Sequence, residues 1–174
     1  MPVFARTKLT IEADCMEPRV KLDISYSGPN PDKIYPKILE ILEKVLAIPK
    51  DNIQEKEYAW NRSKIPEEFS ASIDAIKDFD RFTYMLIEIS LKGKVKPSKE
   101  FGKEGSATIT IHGIIRTEYP QDTLFQRSII YQYIMNFYHK MYYQRKFEEY
   151  RKQCREAMFA LRDHLKAFFE ILPK

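Results

Sequence analysis

Glycine is scarce in this chain, with five among 174 residues, at positions 28, 93, 102, 105 and 113. They do not cluster, so a phosphate-cradling loop of the Rossmann or P-loop kind is excluded. Cysteine is scarcer. Cys15 and Cys154 are the two present, too few for a zinc ribbon or a disulfide framework. Long apolar runs are missing too, and nothing approaches the ~18 residues that cross a bilayer. Residues 1–7 alternate apolar and polar side chains without the apolar centre of a signal peptide, so the expected location is cytoplasmic, with reduced thiols. No catalytic signature is present, and no metal site or cofactor is expected.

Apolar residues make up 44% of the chain and charged residues 31%, a balance that suits a globular domain of this length. The patterning is clear. Val20, Leu22, Ile24 and Tyr26 alternate with polar residues, as do Phe69, Ala71, Ile73 and Ala75, then Met85, Ile87, Ile89 and Leu91, then Ala107, Ile109 and Ile111. A period of two marks half-buried strands. Extended segments are predicted at 3–13, 19–27, 52–62, 68–77, 81–95 and 106–117. Residues 94–105, with Pro97, Gly102 and Gly105 and no periodicity, are expected to form a loop, and Asp78–Asp80 a turn. Asn30 is expected to cap a helix that starts at Pro31, with Pro36 kinking or splitting it.

After Pro120, Thr123–Gln126 fits a capping box, and no glycine or proline follows until Pro173. An uninterrupted helix over 123–171 would be about 70 Å long, well beyond the ~40 Å diameter of a globule this size. Its apolar stripes conflict. Ile130, Ile134, Phe137 and Met141 share one face, while Phe147, Tyr150, Cys154, Met158, Leu161, Leu165, Phe168 and Leu172 share another, roughly 130° away, with seam-like 3–4 spacing. Either the chain reverses near 142–146, or the second half packs on another chain. The division is therefore a sheet-plus-helix domain over 1–145 and a helical extension over 146–174. The expected fold is α+β: an antiparallel sheet of about six strands packed on a long C-terminal helix.

This order of strand, short helix, antiparallel strands and long terminal helix, over residues 18 to about 145, resembles the helix-grip fold of the START-like superfamily. The resemblance implies a small apolar ligand held between sheet and helix. It carries no catalytic residues over.

Tyr58, Trp60, Phe69, Tyr84, Ile134, Phe137 and Met141 are the candidates to line such a cavity, with ordinary core packing as the competing reading. Phe147, Tyr150, Met158, Leu161, Leu165 and Phe168 are the candidates for self-association or a partner helix. Cys154 falls in that seam as an inert buried thiol. Glu55 and Glu57 read as a solvated face, Asp74, Asp78 and Asp80 as turn chemistry, and the three histidines lack ligand spacing.

The net charge of +4 is unevenly spread. Residues 137–155 hold six Lys or Arg against two Glu, and residues 92–104 hold five Lys against two Glu. Cations among tyrosines suit contact with nucleic acid, which is the alternative function, through Lys94, Lys96, Lys140, Arg145, Lys146, Arg151 and Lys152. The leading expectation is a non-enzymatic carrier of a small apolar ligand that forms homo-oligomers.

Overall fold

The structure, a computed structural model, describes residues 8–63, 65–98 and 102–171. Six strands, β1 (Lys8–Asp14), β2 (Lys21–Pro29), β3 (Ile53–Asn61), β4 (Glu67–Asp78), β5 (Thr83–Ser98) and β6 (Gly102–Pro120), form one antiparallel sheet. The order across it runs β3, β4, β5, β6, and the far edge of β6 is shared. β2 pairs with residues 104–112, and β1 with residues 114–120. The part of the first predicted strand before Lys8 lies outside the described residues.

The alternating side chains sort the sheet into two faces. Ile73, Ile87, Ile89, Leu91, Ile109 and Ile111 lie on the covered face and are essentially inaccessible. Against them pack α1 (Ile34–Lys44), through Ile34, Ile38, Ile41 and Leu42, and α3 (Gln144–Ile171). Pro36 causes no kink. The α-helix begins at Ile34, after a 3-10 turn over Pro31–Lys33, so Pro36 occupies the first turn, where a missing N–H costs nothing. Asn30 does not cap with its side chain. Its φ of 51° places it in the left-handed region, and its N–H donates to the Lys103 carbonyl at 2.9 Å.

The predicted loop at 94–105 is mostly paired strand. Lys94 lies opposite Ser106, Lys96 opposite Glu104 and Ser98 opposite Gly102. Backbone pairing needs no apolar alternation, and among the described residues of this stretch Val95 alone reaches the core. The turn at Asp78–Asp80 is as expected, and the Asp80 carboxylate shapes it by accepting from the N–H groups of Phe82 and Thr83, each at 2.9 Å.

Two features fix α3 on the sheet. Gly113, where the edge of β6 passes from β2 to β1, lies under the helix, and a Cβ there would sit 2.3 Å from the Met158 sulfur. At the same level Cys15 and Cys154 are joined by a disulfide across 139 residues of sequence, with the Cys15 N–H donating to the Gly113 carbonyl at 2.9 Å. The reading of Cys154 as an inert thiol is corrected. Separation in sequence hides a pairing that the stacking of α3 on the edge of β6 creates.

Candidate interaction surface

The terminal helix neither reverses nor stays regular. α2 (Ile129–Tyr138) passes through a π-helical turn over His139–Tyr143 into α3. The capping box forms, with Gln126 accepting from the N–H groups of Asp122 and Thr123 and Thr123 accepting from the N–H of Gln126. It closes a turn, however, and Ser128 caps the helix itself by accepting from the Tyr131 N–H at 3.2 Å.

A single line of side chains faces the domain along the whole helix. It runs through Tyr131 and Met135, both half-buried, His139 and Tyr143 in the π turn, then Phe147, Tyr150, Cys154, Met158, Leu161 and Leu165. The seam read as a partner interface is therefore this chain's own core. Phe147, Tyr150, Met158, Leu161 and Leu165 are buried against the sheet and α1, and Phe168 is half-buried with the Lys37 ammonium 5.6 Å from its ring. Residues 146–171 are accordingly part of the packed unit, not an extension from it.

A polar node holds the π turn to the sheet. The Tyr143 hydroxyl donates to Asp80 at 2.6 Å and lies 2.6 Å from the Thr83 hydroxyl, which is 2.8 Å from that of Thr117. With its own proton given to Asp80, Tyr143 accepts from Thr83, and Thr83 accepts from Thr117. The Tyr150 hydroxyl and the Lys146 ammonium also reach Asp80, at 3.2 and 3.4 Å. Burial alone would raise the Asp80 pKa. The bonds from Tyr143, the two backbone N–H groups and Tyr150 outweigh it and hold the carboxyl below its ordinary value. Burial pushes the Tyr143 hydroxyl up, helped by the bond to Asp80, and pushes Tyr119 up to about 12. The His139 ring, 3.1 Å from the Tyr119 hydroxyl, has its pKa lowered by burial. Both Asp80 oxygens are occupied by donors of the same chain, so the node positions the helix and presents no free base.

Beyond the node, no described residue covers the opposite face of α2. Tyr133 is 73% exposed, Phe137 62%, Met141 63% and Ile134 52%. Leu124, Phe125, Ile129, Ile130, Tyr138 and Tyr142 join them, all between 45% and 87% exposed. On the helix itself the arc from Ile129 round to Tyr138 covers about 180° at 100° per residue. No charged residue lies between Arg127 and Lys140. Ten large side chains of roughly 150–250 Å² each, exposed to this degree, present apolar and aromatic surface on the order of 1,000 Å². A monomer's largest apolar patch is usually about 300–600 Å².

The residues read as a ligand cavity are not brought together. Ile134 and Phe137 point outward on α2, and Met141 does so in the π turn. Tyr58 is 47% exposed on β3, beside Tyr35, and Tyr84 lies on the solvent side of β5, donating to Glu118 at 2.7 Å. Trp60 and Phe69 do pair, with ring centroids 5.6 Å apart, and the cations of Arg62 and Lys103 lie 5.0 and 4.8 Å from the Trp60 ring centroid. The cations read as a nucleic-acid surface are likewise dispersed. Lys94 and Lys96 stand at the far end of β5, bound to Glu68 and Glu104. On α3, Lys146 pairs with Asp80, Arg151 with Glu17 and Glu148, and Lys152 with Glu156. Lys140 and Arg145 make no ion pair among the described residues. The exposed arc itself had a sequence signal, the Ile130–Met141 stripe, but its burial was assigned to the wrong half of the helix.

No family model matches the chain, and no curated protein matches it. Its structure is similar to that of a protein of unknown function from Staphylococcus aureus, at 9% identity and a TM-score of 0.30, over 94% of this chain and 95% of that one.

Proposed function

We propose that this protein is a non-enzymatic association module whose working surface is the exposed arc of α2, and that the partner is a second copy of the same chain. The observation that carries the reading is the uncharged, aromatic-rich face of α2, supported from behind by the Asp80 node and left uncovered in front by the described residues. Three features favour a second copy. The exposed surface is of the same order as the roughly 800 Å² per partner of a standard interface. An apolar stripe without charges is complementary to itself, as a two-fold contact requires. Ile130, Ile134, Phe137 and Met141 also repeat at the 4–3–4 spacing with which two helices interdigitate. The nucleic-acid reading gains less support, because five of its seven cations already pair with carboxylates.

Light scattering on the purified protein at micromolar concentration tests this directly. A dimer or higher oligomer is expected, and Ile134→Glu with Phe137→Glu should convert it to a monomer with unchanged circular dichroism. A monomeric wild type overturns the reading. If that monomer sediments with anionic phospholipid vesicles, the same arc, flanked by Arg127, Lys140 and Arg145, serves a membrane surface instead.

A further inference from the structure

The solvent face of the sheet, opposite the helices, carries a second and independent feature. Three hollows of about 440, 260 and 220 Å³ form one trough across β6, β5 and β4, the 260 Å³ hollow sharing lining residues with each of the other two. The central hollow is lined by Lys21, Ser90, Lys92, Thr108 and Thr110. Strand register explains the grouping. Ser90 lies opposite Thr110 and Lys92 opposite Thr108, on strands about 4.8 Å apart, while Lys21 enters from β2 opposite His112.

The charges along the trough are not balanced in the middle. Asp74 is bound by Lys56 at 2.5 Å, Glu88 by His112 at 3.1 Å, and Asp23 accepts from Thr110 at 2.6 Å. Lys94 is held by Glu68 at 2.9 Å. Lys21 and Lys92, by contrast, make no ion pair or hydrogen bond among the described residues, and neither do the hydroxyls of Ser90 and Thr108. Asp74 and Glu68 are neutralised by ammonium groups, Asp23 is bonded to a neutral hydroxyl and keeps its charge, and what remains unengaged is two ammonium groups and two hydroxyls around one hollow.

We infer that this hollow binds a tetrahedral oxyanion, the phosphate or sulfate group of a small molecule. Lys21 and Lys92 supply the charge and Ser90 and Thr108 donate hydrogen bonds, an arrangement in which every donor gains an acceptor stronger than water. The adjoining hollow, reaching Asn61 and Ser70 beside Lys92, holds the remainder of the ligand.

Pyrophosphate, inorganic phosphate and sulfate titrated into the isotope-labelled full-length protein test this by amide NMR. Shifts concentrated at Ser90, Lys92, Thr108 and Thr110 are expected, saturating in the millimolar range or below. Lys92→Gln and Lys21→Gln should each weaken binding about tenfold, while Lys152→Gln on α3 leaves it unchanged. The two phosphate probes and sulfate separate a phosphate site from a general oxyanion site, either of which sustains the inference. Shifts spread over all surface lysines, or affinity that does not respond to the Lys21 and Lys92 substitutions, overturn it. Neither outcome bears on self-association through α2, which lies on another part of the molecule.

Discussion

Reducing the bond between Cys15 and Cys154 removes a cross-link while leaving every side chain in place, so its effect isolates the cross-link itself. The two residues are 139 positions apart and both are fully buried. Closing a loop of that length lowers the entropy of the unfolded chain by an amount equivalent to about 5 kcal/mol near room temperature. For a chain of this size each kcal/mol moves the melting temperature roughly 2–4 °C, so the reduced protein should melt about 10–20 °C lower. Differential scanning calorimetry with and without reductant measures this, with alkylation and mass spectrometry confirming the thiol count in each sample. The location predicts more. The bond ties the point where the edge of β6 passes from β2 to β1 to the middle of α3, so amide exchange should accelerate first in β1, from Leu9 to Ala13. A fully reduced protein that melts within about 2 °C of the oxidised one would show that the bond does not constrain the unfolded state as argued.

Two further perturbations test the packing and the electrostatics. Gly113→Ala places a methyl group where the Met158 sulfur now lies, and should destabilise by about 1–3 kcal/mol in denaturant titrations, with Gly113→Val worse. Because hydrogen bonds hold the Asp80 carboxyl below its ordinary pKa, its contribution is present above the unfolded-state value of about 4 and is lost as pH falls through the folded one. The Tyr143→Phe protein should therefore be less stable at neutral pH and lose less on acidification, as read from melting temperatures between pH 7 and pH 2. His139 acts at higher pH. Its folded pKa is lowered by burial, so the unfolded chain takes up a proton first and stability falls as pH drops below about 6.5. Replacing His139 by Gln should flatten the slope of the melting temperature between pH 7 and pH 5.

Much of the architecture was legible in the chain. The alternation of Phe69, Ile73, Ile87, Ile89 and Ile109 with polar neighbours marks strands because a pleated backbone sends successive side chains to opposite faces. The α+β class, the antiparallel sheet and the long C-terminal helix follow from that period and from the absence of breakers after Pro120. Where periodicity lapsed, so did the reading. The hairpin end from Lys94 to Gly105 looked like a loop because, among its described residues, Val95 alone reaches the core, too little for an alternation to register. Asn30 looked like a cap because a left-handed backbone leaves no trace in composition.

The sequence by itself determined that the terminal helix has two apolar faces and that one sheet cannot cover both. Which face the sheet covers is a tertiary fact. Gly113 lets α3 approach, Cys154 meets Cys15 there, and Asp80 and Thr83 receive Tyr143, so the line through Phe147, Met158 and Leu165 goes inward. Among the described residues the Ile130–Met141 stripe then has nothing to pack against. Neither the disulfide nor the node could be read in advance, because each joins residues far apart in sequence, and burial and pairing are properties of neighbours in space.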